Sequence, residues 1–191
     1  IEAQQRSWGW LKNNTFNTDK RGAAVAANMC AWAIAAIGPE KLKEQGIDPD
    51  QMMNFAEADC LVTTYYNRPG GKQIKITGFD FGKLEHLPMG GIVSTELTAQ
   101  MIITLGIMVE YHKNRNIDTK ADYYQKKRDF YISELGKLVI TSPSGEGQGE
   151  ACLPYATQDN IDTGHGWKVV NGSRTGSIAG TAYAIFARYR Y

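Results

Sequence analysis

Apolar positions recur at helical spacing along most of the chain. From about Arg21 to Ile37 nearly every residue is apolar, with Asn28 the main interruption. A helix apolar on every face is a helix buried on every face. Asp19 is placed to cap it, and Gly38-Pro39 stops it. Pro39 opens a short second helix to about Gln45. Asp48-Pro49 opens a third that runs to about Thr64, with Met52, Phe55, Ala56 and Leu61 on its apolar side. Ser94 or Thr95 caps a strong helix ending near Lys113, whose wide apolar face carries Leu97, Met101, Ile102, Leu105, Met108 and Val109. Asp118 or Thr119 starts an amphipathic helix reaching about 140, with Tyr123, Tyr124, Phe130, Tyr131, Leu135 and Leu138 at helical spacing. Lys, Arg and Asp fill its other side, so it lies on the outside. Ser177 caps a last helix through 190, rich in small residues and read as buried, with Ile178, Ala182, Ile185, Phe186 and Tyr189 recurring along it.

Between these helices lie two long stretches without helical period. Residues 67–91 are rich in glycine and proline, with one alternating piece, Gln73 to Thr77, that predicts a small β-hairpin. Residues 141–176 form the longest irregular stretch. A loop of that length inside a folded domain is more often functional than idle. The pattern predicts an all-α fold with two long glycine-rich loops. The entry segment carries Trp8 and Trp10, aromatics that would pack on something formed later in the chain.

At 191 residues the chain is one large domain or two small ones, long enough to bury roughly 70% of its unfolded surface. Hydrophobic residues at 42% and charged residues at 21% are ordinary for a folded soluble protein and too apolar for a disordered one. A net charge of +1, with no local Lys/Arg cluster, gives no footprint for nucleic acid. The apolar run from Ala23 to Gly38 is shorter than the roughly 20 residues a membrane span needs. The three cysteines form no CxxC pair and no zinc-ligand spacing. The chain opens on Ile1, and a helical pattern still runs at 187–191. It therefore reads as a portion of something longer, secreted or periplasmic.

Candidate chemistry concentrates in the second loop. Between Gly145 and Trp167 lie Glu150, Asp159 and Asp162 with Tyr155, His165 and Trp167, separated by glycines that allow close approach of a ligand. Acids bond sugar hydroxyls, and flat rings cover the apolar faces of a pyranose. The first loop adds Asp80, Glu85 and His86, and leads into Glu96 in the first turn of the fourth helix. Glycoside hydrolysis takes two carboxyls about 5–5.5 Å apart for retention, or about 6.5–9.5 Å apart for inversion. The two loops supply candidates for both members of such a pair. Cys152, His165 and Asp162 make a nucleophilic set on paper, but Cys152 precedes Leu-Pro with no feature that would lower its pKa. Asp159-Asn160-Ile161-Asp162 has the donor character of a Ca2+ loop without the EF-hand spacing, so no metal site or cofactor is expected.

The order of these parts resembles the C-terminal portion of an (α/α) toroid of the six-hairpin glycosidase-like class. The resemblance rests on the amphipathic helix with Ala121-Asp122-Tyr123-Tyr124 and on the acidic loop ending Thr163-Gly164-His165-Gly166-Trp167. The closing helix, Ser177-Ile178-Ala179-Gly180-Thr181-Ala182-Tyr183-Ala184-Ile185-Phe186-Ala187, completes it. It covers roughly residues 78–191. The resemblance implies a toroid-like array of helical hairpins, partial here because six hairpins need about twice the helices this pattern supplies. Residues 1–191 would be a single helical domain or the C-terminal portion of a larger toroid. It also implies a cavity walled by inner-helix ends and loops, holding Glu96, Asp159, Asp162, His165 and Trp167. The expected function is cleavage of glycosidic bonds in a polysaccharide or oligosaccharide. Glu96, Glu150, Asp159 and Asp162 are its acid/base candidates, and Asp80, Tyr155, His165 and Trp167 its substrate contacts. The alternative is a non-catalytic helical subunit, or a glycan- or protein-binding module of a larger assembly.

Overall fold

The computed structural model describes residues 26–141 and 150–189. Trp8, Trp10, the start of the first predicted helix and the glycines at 145–149 lie outside them. Six helices follow in chain order: α1 (Asn28–Ile37), α2 (Pro39–Glu44), α3 (Pro49–Cys60), α4 (Thr95–Lys113), α5 (Asp118–Lys137) and α6 (Ile178–Tyr189). Three two-stranded antiparallel sheets accompany them: β1 (Leu61–Asn67) with β2 (Gln73–Phe79), β3 (Ile140–Thr141) with β4 (Ala151–Cys152), and β5 (Ile161–Asp162) with β6 (Lys168–Val169).

The all-α toroid expectation is therefore corrected. The described residues are 53% helical and 18% strand, a mixed fold. The main error lies at the end of α3, which the periodicity carried to Thr64. The helix stops at Cys60, and Leu61-Val62-Thr63-Thr64-Tyr65-Tyr66 continues as a strand. β-branched and aromatic residues lose rotamer freedom in a helix and pack well on a pleated surface. What decides the matter is a partner: all seven residues of β1 pair with Gln73–Phe79, from Leu61 opposite Phe79 to Asn67 opposite Gln73. Pairing turns Val62 and Tyr66 inward and leaves Thr63, Tyr65 and Asn67 exposed.

Helix α4 is the axis of the fold. Ser94 caps it, its Oγ accepting from the Leu97 N–H at 3.4 Å. Thirteen of its residues are buried, and α1, α5 and α6 all pack against it. Thr98 ties the hairpin to its first turn, accepting from the Phe79 N–H at 2.9 Å and donating to the Ser94 carbonyl at 2.7 Å. The approach leaves no room for a side chain at Gly78, where a Cβ would meet Val93 at 2.6 Å and Thr98 at 2.7 Å.

Two helices read as buried are not buried all round. On α1, Trp32, Ala35 and Ala36 are exposed. On α6 only Gly180 and Ala187 are buried, while Ile178, Ile185, Phe186 and Tyr189 are exposed. The reason is which stripe packs. Gly180 faces α4 so closely that a Cβ there would lie 2.3 Å from Thr95 Oγ1. The small residues face inward, and the apolar stripe that suggested burial faces away. Helix α5 sits outside as expected, but Tyr124 and Tyr131 turn to the core while Tyr123 and Phe130 are exposed.

Candidate functional site

The first turn of α4 and the segment 153–157 lie side by side. The Thr95 N–H donates to the Tyr155 carbonyl at 3.2 Å, and the Thr157 N–H to the Val93 carbonyl at 3.0 Å. Thr95 Oγ1 donates to the Pro154 carbonyl at 2.6 Å. This pairing sets Tyr155 beside the turn that carries Glu96. The Tyr155 ring stacks on Phe81, with centroids 5.7 Å apart and planes inclined by 19°. Its hydroxyl accepts from Trp167 Nε1 at 2.8 Å.

Trp167 and His165 come from the turn between β5 and β6. Gly164 and Gly166 have φ of 73° and 91°, a left-handed backbone that glycine adopts without penalty. Thr163 closes the turn, both its N–H and its Oγ donating to the Trp167 carbonyl. His165 and Trp167 thereby lie with ring centroids 5.7 Å apart. His165 Nε2 is 2.8 Å from the Phe81 carbonyl, which can only accept. In the neutral ring the proton therefore sits on Nε2, leaving Nδ1 as an acceptor.

Glu96, next to Thr95, is half-buried, and its charge acts on the Tyr155 phenol. Burial pushes its carboxyl above the ordinary glutamate value, opposed by the hydrogen bond from Gln100 Nε2 at 3.0 Å. Gln100 Oε1 in turn accepts from Trp32 Nε1 at 3.0 Å. Trp32 meets Tyr183 edge-on at 6.3 Å, and between them lies a small apolar recess of about 80 Å3. Burial also raises the Tyr155 phenol, which the Trp167 N–H lowers and the Glu96 charge raises again. Tyr155 is thus kept protonated.

Of the residues named from the sequence, Tyr155, Trp167 and His165 come together, and Glu96 lies in the helix turn that pairs with Tyr155. The others lie elsewhere. Asp80 is completely buried, accepting from the N–H groups of Phe81 at 2.7 Å, Gly91 at 2.7 Å and Ile92 at 2.9 Å. Burial raises its carboxyl against the pull of those three donors. It holds the ends of the 81–92 loop together. Asp162 Oδ1 accepts from the Gly164 N–H at 3.1 Å, and its Oδ2 lies 3.5 Å from Lys168 Nζ. Asp159 belongs to a different recess. Burial acts to raise its carboxyl, but the Ser173 N–H and hydroxyl and the Arg174 guanidinium outweigh it, so the group lies below the usual aspartate range. Glu150 is exposed next to the β4 strand, where its charge acts on Cys152. Burial raises the Cys152 thiol above its ordinary value, which keeps it protonated and un-nucleophilic.

Phe81, Gln100, Trp32 and Tyr183 border the candidate site and were not singled out by the motif reading. Gln100 had a signal, since it stands four residues after Glu96 on one helix face. Trp32 and Phe81 had none, because only tertiary packing brings them here. Among the described residues no three or more His, Cys, Asp and Glu side chains gather as a metal site, and no helix is long and apolar enough to cross a membrane. No protein-family profile, curated protein or solved structure matches the chain.

Proposed function

We propose that this chain is carbohydrate-active and cleaves glycosidic bonds, with Glu96 as the general acid. The observation that carries the reading is a half-buried carboxyl, held above its ordinary pKa, in the helix turn that pairs with Tyr155, whose hydroxyl bonds Trp167 and so joins it to His165. A carboxyl shifted upward by burial is moved toward the protonated form that donates to a leaving-group oxygen. The rings and the His165 Nδ1 acceptor suit the apolar faces and hydroxyls of a sugar. Asp162 is the partner carboxylate in this reading, because it shares the β5–β6 turn with His165 and Trp167. Asp80 and Asp159 are positioning residues, their oxygens given to backbone and side-chain donors.

One observation favours the binding-module alternative. Asp80, Asp159 and Asp162 all accept from backbone N–H groups, so three of the five candidate carboxyls are already engaged by the protein's own backbone. The two readings separate in one experiment. Wild type, Glu96→Gln and Asp162→Asn are incubated with soluble polysaccharides, and retention on the polymer is measured beside release of new chain ends. Cleavage by wild type that both variants lose supports the enzyme. Retention without any release supports the binding module. Cleavage that survives both substitutions removes the proposed chemistry.

A further inference from the structure

A second recess, of about 610 Å3, opens where the exposed face of the β1–β2 hairpin meets the 157–159 and 173–174 segments. That volume falls within the range of small-ligand sites. Tyr65, Asn67, Gln158, Asp159 and Arg174 line it. Tyr65 stands on the outward face of β1, 58% exposed, and among the described residues no hydrogen bond or ring contact holds it. Its neighbour Tyr66 is turned inward, where its hydroxyl donates to the Ser173 carbonyl at 2.9 Å and fixes the far wall to the hairpin.

The polar groups are organised before any ligand arrives. Asp159 Oδ1 accepts from the N–H and the Oγ of Ser173 at 2.9 and 2.8 Å, and its Oδ2 holds an Arg174 nitrogen at 2.7 Å. A guanidinium carries five N–H donors, so Arg174 keeps others to offer. Its charge is balanced by Asp159 at contact distance, so a free anion gains little here. Asn67 Oδ1 accepts from Gln73, which leaves the Asn67 amide N–H groups as donors. The Gln158 side-chain amide has no hydrogen-bond partner among the described residues. An uncovered aromatic face, oriented neutral donors and an amide match a neutral, hydroxyl-rich ring.

This recess is not far from the Glu96–Tyr155 site. Tyr155 and Asp159 are four residues apart, which bounds their Cα separation at about 14 Å even for a fully extended chain. We infer that the Tyr65–Arg174 recess is a second grip on the same ligand, which makes the substrate a neutral oligosaccharide or polysaccharide long enough to reach both sites. The inference rests on the reading of the Glu96–Tyr155 site as a glycan site. Asp159 acts in it as a positioning residue that holds Arg174.

Native affinity electrophoresis of the full chain tests it, with gels containing a β-glucan, a mannan, a xylan or polygalacturonate. Tyr65→Ala and Gln158→Ala are the recess variants, both leaving the Asp159–Arg174 pair in place. Trp167→Ala is the control at the Glu96–Tyr155 site. In the polymer that retards wild type, both recess variants should weaken affinity roughly ten-fold. Their affinity for the matching disaccharide, and their melting temperature, should stay at the wild-type value. Trp167→Ala should weaken both ligands. Unchanged polymer affinity in both recess variants overturns the second grip alone. Retardation by polygalacturonate only overturns the assignment to a neutral glycan. Wild type retarded by none of the four overturns the inference together with the proposed function.

Discussion

Asp50, in the first turn of α3, ties three helices together far from the candidate site. One of its oxygens accepts from His112 Nε2 on α4 at 2.8 Å and from the Tyr124 hydroxyl on α5 at 2.7 Å, and the other pairs with Lys120 at 2.5 Å. His112 and Tyr124 are 2% and 3% exposed, and their rings stack with planes inclined by only 7°. His112 Nδ1 is buried without a partner, so Asp50 provides the ring's hydrogen bond. Asp50→Ala leaves two buried donors unsatisfied, at about 1–3 kcal/mol each. The half-exposed Lys120 pair adds at most about 1 kcal/mol. The Asp50 side chain is itself 21% exposed, so water can enter the vacated position. That draws the expected loss to about 3 kcal/mol, a large share of the 5–15 kcal/mol typical of a folded domain.

Urea unfolding followed by far-UV circular dichroism measures this loss, with the double variant Asp50→Ala/Tyr124→Phe completing a cycle. Tyr124→Phe should cost about 1 kcal/mol in the wild-type background and close to nothing once Asp50 is gone. The pH dependence has a definite sign. Burial acts to raise the Asp50 carboxyl, but Lys120, Tyr124 and His112 outweigh it and hold it below the ordinary 3.8. Its contribution is therefore complete above that value and fades as pH falls through the lower folded-state value. Asp50→Ala should lose this part of the acid sensitivity. A variant within about 0.5 kcal/mol of wild type, the usual range of an inconsequential surface change, would refute the three-helix tie.

Three further outcomes are expected. Gly180→Ala should lower stability by about 1–2 kcal/mol in the same assay, because overpacking against Thr95 exceeds the gain in helix propensity; Thr95 Oγ1 cannot turn away without giving up the Pro154 carbonyl. Asp80→Ala should cost about 2–4 kcal/mol by stranding three N–H groups, and amide hydrogen exchange at Gly91 and Ile92 should speed up. Glu96→Gln should raise the urea midpoint at pH 7 while abolishing cleavage. A carboxyl raised above its ordinary 4.5 favours the fold below that value and loses this contribution as pH rises through the folded value. An unchanged or lowered midpoint would count against Glu96 as a raised acid.

Much of the fold is legible in the chain itself. Ser94, the run to Lys113 and the Asp118 start predict α4 and α5 closely, because caps and a 3.6-residue period act within one or two turns. Gly164, His165, Gly166 and Trp167 also announce a tight turn residue by residue. A left-handed turn bearing a histidine and a tryptophan is a local arrangement. Tertiary structure decides what depends on a distant partner. Leu61 to Tyr66 could extend α3 or form a strand, and only the register with Gln73–Phe79 chooses. Helix α6 carries both a small-residue stripe and an apolar one, and the close approach of Gly180 to Thr95 selects which faces inward. Five carboxylates look alike in the sequence; burial and neighbours separate Glu96, raised in the turn beside Tyr155, from Asp80 and Asp159, which accept from the protein's own donors. The sequence by itself determined the periods, caps and turns, whose energies come from residues a few positions apart. The structure alone decided strand pairing, helix orientation and the environment of each acid, because those energies come from residues far apart in the chain.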